Sequence, residues 1–249
     1  MATGFTTERV LSVQHWSDRL FSIVCTRDSG FRFQNGQFVM MGLEVEGRPL
    51  MRAYSMASAN YDDTLEFYSI KLQDGPLTSR LQKVAPGDSL LVGTKAVGTL
   101  TVANLRPGKH LWMLATGTGL APFLSMVKDP ETYERFEHVT VVHGCRHIAD
   151  LSFSKFFEEQ LPNDPYLGEL VKGKLTYHPT VTREPFRNRG RITDLLRAKP
   201  LSPEHDRVVI CGSHEMIKET ASILESGGFQ EGDSHERGDF LIEKAFVSR

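Results

Sequence analysis

The N-terminal part of the chain alternates between short apolar segments and clusters of turn-forming residues. Three segments have the length and the alternation of apolar and polar positions that are typical of β-strands: residues 38–45, 65–72 and 89–92. They are separated by the turn clusters Asn35-Gly36, Asp62-Asp63 and Pro86-Gly87-Asp88. Short strands joined by tight turns pair with antiparallel neighbours. The pattern therefore predicts an antiparallel β-barrel from about residue 10 to residue 102.

The pattern changes after the turn-like segment 105–108. Apolar runs at residues 111–115, 139–142 and 208–211 then alternate with helix-like stretches at residues 122–128, 154–160 and 214–225. Such alternation predicts a parallel sheet that is covered by helices. We therefore expect two domains, an antiparallel β-barrel over residues 1–104 and an α/β parallel-sheet domain over residues 105–249. The cleft between them is the natural place for chemistry.

The length and composition are those of a globular protein with two cores. The chain has 249 residues, of which 40% are hydrophobic and 24% are charged. A formal net charge of −2 supplies no global basic field, which excludes nucleic acid as the main partner. No apolar run approaches the roughly 18 residues that a membrane helix needs, and residues 1–10 lack a secretory signal pattern. We expect a cytoplasmic, monomeric protein with no membrane partner.

The cysteines and histidines give no sign of a metal site. Cys25, Cys145 and Cys211 include no CxxC pair, which excludes a disulfide framework and an iron–sulfur cluster. His143 and His147 are four residues apart, but they lie at the end of a predicted strand rather than on a helix. We therefore predict no metal.

The segment Arg52-Ala53-Tyr54-Ser55 presents a cation, an aromatic face and a hydroxyl after a strand-like run. On an extended chain Arg52 and Tyr54 share one face while Ser55 points to the other. A local bend would bring all three side chains to one ligand. By itself, such a segment more often marks a surface strand with a solvated arginine and a half-buried tyrosine.

A second segment, residues 75–81, predicts a turn followed by a short helix that is capped by Thr78 or Ser79. The unpaired N–H groups at a helix N-terminus suit a phosphate. An ordinary capped helix is the more common outcome of such a sequence. Two candidate anion sites in one small barrel nevertheless favour a diphosphate ligand.

The predicted strand at residues 111–115 runs directly into Thr116-Gly117-Thr118-Gly119-Leu120-Ala121-Pro122. Glycines after a strand let the backbone approach a pyrophosphate at the N-terminus of the next helix. Pro122 suits the first turn of that helix. It also takes the third glycine position, so the dinucleotide fingerprint GxGxxG is only partly met.

Arg146, Arg183 and Arg191 each follow a strand-like run or adjoin a turn. If their loops lie at the carboxyl ends of parallel strands, the guanidinium groups can converge on a doubly charged phosphate. Such a site favours NADP over NAD. The alternative is that the three arginines are solvated surface residues.

Two further positions have the appearance of packing sites. Cys211 closes a predicted strand ahead of Gly212, and without an adjoining histidine and carboxylate it is better read as a buried thiol against a flat ring. Phe246 lies three residues from the chain end, where chains usually fray, so we expect it to dock on another group.

In this order along the chain, Arg-x-Tyr-Ser, Gly-Pro-Leu-Thr-Ser, Gly-Thr-Gly-Leu-Ala-Pro, Cys-Gly-Ser and Glu-x-Ala-Phe resemble the motifs of the ferredoxin/flavodoxin–NADP(+) reductases, in particular the bacterial type. The resemblance covers nearly the whole chain and implies FAD on the barrel and NADP(H) on the α/β domain. The residues that it assigns to FAD are Arg52, Ala53, Tyr54, Ser55, Tyr68, Ser69, Ile70, Gly75, Leu77, Thr78, Thr116 and Phe246. Those that it assigns to NADP are Thr116, Gly117, Thr118, Gly119, Arg146, Arg183, Arg191, Cys211 and Gly212.

The resemblance also implies individual roles on the FAD side. Arg52 and Thr78 would hold the FAD pyrophosphate, and Tyr54 would lie against the isoalloxazine. Ser55 would hydrogen-bond near flavin N5, and residues 68–70 would touch the ribityl chain and the ring through backbone groups.

On the NADP side, residues 116–119 would meet the pyrophosphate and the three arginines would bind the 2′-phosphate. Cys211 would face the nicotinamide, and Glu243 would lie near the flavin in the same cleft. Ser55, Cys211, Glu243 and Ala245 form the implied catalytic set.

The C-terminus departs from many plant-type relatives, which end on a tyrosine that stacks over the flavin. Here the matching position is Ala245, preceded by Lys244 and followed by Phe246. This indicates the bacterial variant, in which Phe246 stacks on the FAD adenine.

The implied activity is FAD-dependent electron transfer between NADPH, a two-electron hydride donor, and a one-electron carrier, ferredoxin or flavodoxin. Lys71, Arg80 and Lys83 would form a basic rim that steers an acidic carrier, or else an ordinary solvated face. One alternative is an NADH-dependent flavin reductase component of an oxygenase, which would not need three arginines near the ribose. The other is a non-catalytic FAD redox sensor, in which an electron path from nicotinamide to flavin would be superfluous.

Overall fold

The structure is a computed structural model that describes residues 4–243. Its strands form one antiparallel and one parallel sheet. The strands are β1 (Phe5–His15), β2 (Leu20–Thr26), β3 (Phe38–Val45), β4 (Arg48–Ser55), β5 (Thr64–Ile70), β6 (Ser89–Gly93), β7 (His110–Thr116), β8 (His138–Cys145), β9 (Leu175–Val181), β10 (Asp206–Cys211) and β11 (Phe240–Ile242).

Most of the helices are short. The α-helices are α1 (Thr78–Leu81), α2 (Ala121–Met126), α3 (Pro130–Arg135), α4 (Gly168–Val171), α5 (Ile192–Ala198) and α6 (His214–Ser226). Single turns of 3-10 helix occupy Val102–Asn104, Gly117–Leu120, Ile148–Asp150 and Leu161–Asn163, and a π-helical turn occupies Phe156–Gln160. Within residues 4–243, no helix has both the length and the apolar character that a bilayer crossing requires.

The antiparallel sheet has six strands in the order β4-β3-β6-β1-β2-β5. An isolated antiparallel bridge between Met56 and Phe67 connects the chain just beyond β4 to β5, the opposite edge of the sheet. The sheet therefore curls on itself, as the sequence predicts. Its interior is filled by apolar side chains, among them Phe21, Ile23, Val39, Met41, Phe67 and Leu90.

Two strands of this sheet, β1 and β2, are absent from the segments that the hydrophobic pattern predicts. In β1 the pattern is obscured because Glu8 is buried. Its carboxylate accepts hydrogen bonds from the hydroxyls of Thr6 at 2.7 Å and Thr26 at 2.6 Å. A buried carboxylate is tolerated when its oxygens are hydrogen-bonded, so a charged residue takes a core position.

The parallel sheet has five strands in the order β11-β10-β7-β8-β9, which confirms the predicted α/β half. Because β8 and β10 both pair with β7 in parallel, the segments that follow these three strands emerge at the same edge of the sheet. The change from antiparallel to parallel sheet falls between Gly93 and His110, which brackets the predicted domain boundary. The boundary at 104/105 itself stays a prediction.

Polar contacts join the two halves of the chain. Asn35, on the antiparallel side, donates to the carboxylate of Asp129 at 2.8 Å and accepts from the hydroxyl of Ser125 at 2.7 Å. Tyr68 donates to the hydroxyl of Ser152 at 3.0 Å. The ring of Tyr68 also packs within the hydrophobic cluster of the α/β half. These contacts join the antiparallel and the parallel halves directly.

A buried ion pair ties the connecting segment to the parallel sheet. The guanidinium of Arg207 donates to the backbone oxygens of Arg106, at 3.2 Å, and Pro107. It also lies 3.7 Å from the carboxylate of Asp239, and these two side chains are only 7% and 8% exposed. Asp239 accepts in addition from Arg106 at 3.2 Å. Removing one partner of such a pair leaves an uncompensated buried charge.

We expect Asp239→Ala to lower the free energy of unfolding by about 3 kcal/mol, because Arg207 then lacks its buried counter-charge. The matched control is Glu236→Ala, since Glu236 also pairs with Arg106 at 3.2 Å but is 79% exposed. An exposed pair contributes less than about 1 kcal/mol. Urea unfolding of both variants with cofactor bound measures the difference. Equal effects of the two substitutions would contradict the assigned role of Asp239.

Candidate functional site

The first predicted segment, residues 52–55, is the last half of β4. Arg52 is exposed, whereas Tyr54 and Ser55 are buried. The hydroxyl of Tyr54 lies 3.5 Å from the hydroxyl of Ser69 on β5. Burial raises the pKa of Tyr54, so its phenol is uncharged. The predicted FAD residues of β4 and β5 are therefore neighbours across the closure of the barrel.

Ser55 has a feature that points to a ligand. Its side chain is 1% exposed, and its hydroxyl oxygen has no hydrogen-bond partner among residues 4–243. A buried hydroxyl without a hydrogen-bond partner lowers the stability of the fold by about 1–3 kcal/mol, so such groups are uncommon in folded proteins. A polar group of a cofactor beside β4 would satisfy this hydroxyl. The residues present thus fit a flavin with nitrogen and oxygen atoms on its ring edge.

The second predicted segment contains the helix α1, but the prediction of its cap is wrong. Thr78 is the first helical residue, the N-cap position is Leu77, and no side chain caps the helix. The hydroxyl of Thr78 instead turns back towards the oxygen of Leu72, at 3.5 Å. A Cβ on Gly75 would lie 2.3 Å from this hydroxyl, so a side chain there would force the hydroxyl of Thr78 to turn away. Whether Gly75, Leu77 and Thr78 bind FAD stays a prediction.

The predicted glycine turn follows β7 directly. Gly117–Leu120 is a single 3-10 turn, and α2 begins at Ala121 with Pro122 in its first turn, as predicted. Gly117 has a φ of +54°, which favours glycine, and a Cβ on it would meet no atom within 4 Å. The start of this turn, at Gly117, therefore borders open space. Such a surface is what a pyrophosphate needs for close approach.

The turn after β7 packs tightly against the turn after β10. A Cβ on Gly119 would lie 2.3 Å from the carbonyl oxygen of Cys211, and a Cβ on Gly212 would lie 2.1 Å from the hydroxyl of Thr116. The same hydroxyl accepts from the N–H of Ser213 at 2.8 Å. The predicted NADP residues 116–119 and 211–212 thus form one continuous surface.

Cys211 and Glu243 lie together at this edge. Cys211 is 0% exposed, and burial, reinforced by the charge of Glu243, raises the pKa of its thiol well above the usual value. The thiol is therefore uncharged and unsuited to nucleophilic attack. Glu243 is buried, and its carboxylate lies 3.5 Å from the position of a Cβ on Gly98, a residue of the barrel half. Glu243 thus brings a carboxylate of the α/β half to the barrel.

The chain brings the backbones of the three predicted arginines near one another at the carboxyl ends of β8 and β9. Arg146 directly follows β8, and its carbonyl accepts from the N–H of Arg183 at 3.0 Å. Arg191 is held close to β9 because the hydroxyl of Thr180, near the end of that strand, donates to the carbonyl oxygen of Gly190 at 2.8 Å. All three side chains are exposed, and none forms an ion pair within residues 4–243. Their guanidinium groups are available to an anion.

Two other charged residues of the same loops already have partners within the protein. Arg187 pairs with Glu158, and Glu184 accepts from the N–H of Ile148 and lies 3.7 Å from His147. Arg189 of the same loop is, like the three predicted ligands, exposed and in no ion pair within residues 4–243, so the lack of an ion pair leaves the three arginines available but does not single them out.

Two predicted positions, Ala245 and Phe246, lie outside the described residues 4–243. The predicted basic rim is only partly available, because the ammonium of Lys71 donates to the oxygen of Ser17 at 2.6 Å. Arg80 and Lys83 are exposed. A role of these residues in binding a carrier stays a prediction.

Sequence reasoning missed one group at the site. His143 is considered there only as a metal ligand, yet its ring lies 3.1 Å from the carbonyl oxygen of Gly117 in the glycine turn. The spacing of residues along the chain carries no signal for this contact, because it joins the interior of one strand to the turn after its neighbour.

Comparison with known proteins agrees with this geometry. Residues 12–100 match the family model of the oxidoreductase FAD-binding domain, and residues 113–222 match that of the oxidoreductase NAD-binding domain. The chain is 58% identical to ferredoxin–NADP reductase A of Sorangium cellulosum, over 99% of this chain and 92% of that protein. It is 54% identical to the ferredoxin–NADP reductase of Azotobacter vinelandii, over 99% of this chain and 100% of that protein.

A solved structure is similar over the same extent. A ferredoxin NADP+ reductase from Neisseria gonorrhoeae, with bound FAD and NADP, has 31% sequence identity and a TM-score of 0.88. The alignment covers 97% of this chain and 98% of the other. Since both domains and nearly every residue are matched, the chain belongs to the ferredoxin–NADP reductase family.

Proposed function

We propose that the chain is an FAD-dependent oxidoreductase that moves electrons between NADPH and a one-electron carrier, ferredoxin or flavodoxin. The observation that carries the proposal is that the barrel and the parallel sheet each offer groups suited to one of two cofactors. The barrel edge offers the buried hydroxyl of Ser55, and the parallel-sheet edge offers the Gly117 turn and three unpaired arginines. Relatives that bear the name ferredoxin–NADP reductase support the same assignment.

FAD would be held by the barrel residues. Arg52 is exposed and would meet the pyrophosphate, while Tyr54 and residues 68–70 would line the ring and the ribityl chain. The hydroxyl of Ser55 would bond to the flavin ring near N5, which supplies the partner that this buried group needs. Bound FAD supplies the chemistry that links a two-electron hydride donor to a one-electron acceptor.

NADP(H) would be held by the parallel-sheet residues. The backbone of residues 116–119 would meet the pyrophosphate, and the three arginines would bind the 2′-phosphate. Cys211, uncharged and buried, would present a soft apolar contact to the nicotinamide. The arginines favour NADPH over NADH as the donor, because NADH lacks the 2′-phosphate.

Glu243 would contribute a carboxylate to the place where the two cofactors meet. It lies beside Gly98 of the barrel, and its charge acts on the thiol of Cys211. Its proposed task is to set the local hydrogen bonding beside Ser55. The domain boundary at 104/105, the monomeric state, the cytoplasmic location and the roles of Ala245 and Phe246 stay predictions from the sequence.

The first test is an absorbance spectrum of the purified protein before and after a nicotinamide nucleotide is added without oxygen. We expect flavin bands that bleach much faster with NADPH than with NADH, because only NADPH engages the arginines. Protein that shows no flavin bands, even after FAD has been supplied, would contradict the proposal at its base.

Arg183→Ala should raise KM for NADPH more than tenfold, since a charge-assisted hydrogen bond contributes about 1.5–3 kcal/mol. KM for NADH should stay within about twofold, because the change removes little more than the contact with the 2′-phosphate. The matched control is Arg187→Ala, an arginine of the same loop that is paired with Glu158. Steady-state rates with ferricyanide as acceptor measure all three proteins. Equal rises in both KM values would disprove the 2′-phosphate assignment.

Ser55→Ala should not destabilise the flavin-free protein and should raise its stability slightly, because it removes a buried hydroxyl that has no partner among residues 4–243. It should slow the reduction of bound FAD by NADPH about tenfold, as expected for one lost hydrogen bond. The matched control is Ser58→Ala, whose hydroxyl accepts from the N–H of Glu66 at 3.1 Å. That variant should be less stable but reduced at the normal rate. Stopped-flow absorbance and thermal unfolding separate the two effects, and normal reduction of Ser55→Ala would refute its role.

A further inference from the structure

A buried histidine that the proposed reaction does not use lies directly behind the glycine turn. His143 is 0% exposed, although a polar ring in a core needs partners for both nitrogens. Its Nε2 lies 3.1 Å from the carbonyl oxygen of Gly117, and its Nδ1 lies 3.1 Å from the hydroxyl of Tyr177 on β9. The ring therefore links the outer strand β9, through β8, to the turn after β7.

The chemistry of the partners determines the tautomer of this ring. A carbonyl oxygen only accepts hydrogen bonds, so Nε2 carries the proton and donates to Gly117. Nδ1 is then the unprotonated nitrogen and accepts from the hydroxyl of Tyr177. Burial lowers the pKa of His143 to about 4, so the ring is neutral at neutral pH. A directed chain results, from the hydroxyl of Tyr177 through the imidazole to the carbonyl of Gly117.

Tyr177, at the far end of this chain of hydrogen bonds, is itself held in place. The ring of Tyr177 is stacked on Phe157, with centroids 4.4 Å apart and planes inclined by 6°. Its hydroxyl also hydrogen-bonds the side chain of Ser154, and burial raises its pKa, so the phenol keeps its proton. A donor held in this way does not rotate away from Nδ1.

Gly117, at the near end of this chain of hydrogen bonds, is also contacted by a second side chain, that of Cys145. The thiol of Cys145 lies 3.3 Å from Nε2 of His143 and donates to the oxygen of Asp150 at 3.5 Å. The backbone of Gly117 hydrogen-bonds the same thiol. Gly117 is thus contacted from beneath by two side chains of β8, while the direction in which its Cβ would point is open.

The geometry points to His143 and Tyr177 as positioning residues that hold the Gly117 turn in its ligand-binding conformation before NADP(H) arrives. This inference rests on the proposed role of residues 116–119 in binding NADP(H). Gly117 has a φ of +54°, and a glycine in an unsupported turn samples many other conformations. Fixing its carbonyl removes that freedom in the free protein, so less conformational entropy is lost when the nucleotide binds.

The test uses the FAD-loaded enzyme with NADP+ titrated by difference absorbance of the flavin. For His143→Leu, which removes the donor to Gly117, we expect Kd for NADP+ and KM for NADPH to rise about tenfold, with kcat and KM for ferricyanide within twofold. A loss of structure in general would instead lower kcat and disturb the flavin. His143→Gln offers an amide N–H near the position of Nε2, and it should restore most of the affinity.

Two further measurements do not depend on the leucine variant folding. Tyr177→Phe keeps the ring on Phe157 but removes the hydroxyl, and it should raise Kd for NADP+ about threefold, as expected for a partner one step removed. In the unaltered enzyme, 15N NMR of labelled histidine should show His143 with its proton on Nε2 at neutral pH. A proton on Nδ1 would overturn the inference. The matched control, His138→Leu at the exposed start of β8, should bind NADP+ normally.

Gly117→Ala separates failure of this inference from failure of the proposed site. A Cβ at Gly117 points into open space and strains the backbone, so this variant should lose NADP+ affinity if the turn binds the nucleotide. If Gly117→Ala loses affinity while His143→Leu binds as the unaltered enzyme does, the site is right and the positioning role is wrong. If both variants bind normally, the turn is not the nucleotide site, and the inference fails with it.

Discussion

The contact between the turns that follow β7 and β10 is the constraint on which the site depends. Gly119 lies against the carbonyl of Cys211 and Gly212 against the hydroxyl of Thr116, at separations that leave no room for a Cβ. Because β7 and β10 are adjacent parallel strands, both turns leave the sheet at the same edge. Their contact joins the two turns into one surface at the edge of the sheet. His143 hydrogen-bonds the carbonyl oxygen of Gly117 in the first of these turns. A side chain at either glycine would force the two turns apart.

Around these two turns, polar groups without protein partners mark where ligands would bind. Arg146, Arg183 and Arg191 have no ion pair within residues 4–243, whereas Arg187 in the same loop is paired. The hydroxyl of Ser55 has no partner among those residues, whereas Ser58, three residues along, accepts a backbone hydrogen bond. Folded proteins satisfy nearly all their buried polar groups. The hydroxyl of Ser55 is an exception of this kind and points to a ligand, whereas the exposed arginines are solvated groups that are available to an anion.

Burial also arranges charge within the cleft. Desolvation keeps His143 and the thiol of Cys211 uncharged, so neither supplies a competing charge beside the turn. The unpaired positive charge lies further out, on the loops after β8 and β9. In the proposed complex, the arginines bind the 2′-phosphate of NADPH at this periphery, while its nicotinamide lies beside the uncharged thiol of Cys211. The separation suits an enzyme that must bind a highly charged nucleotide and exclude water from hydride transfer.

The sequence by itself determined the plan of one antiparallel and one parallel sheet, and it named the candidate site residues. Alternating segments such as residues 38–45 predict an antiparallel sheet, and the strand, turn and proline at residues 111–122 predict a parallel strand leading into a helix. These are local patterns, set by side-chain alternation and backbone geometry, and they survive without knowledge of neighbours. The order of five short motifs then identified the family, which no single motif did.

Tertiary structure decided what local pattern cannot contain. The strand β1 escaped prediction because the burial of Glu8 depends on a threonine from β2, and the cap of α1 was mispredicted because the hydroxyl of Thr78 turns back to Leu72. The availability of the arginines, the isolation of the Ser55 hydroxyl and the support of Gly117 by His143 all arise from contacts between distant segments. The physical reason is that hydrogen-bond satisfaction and desolvation are properties of a residue's surroundings in space. A sequence states which groups exist, and only the folded chain decides which of them are left for a ligand.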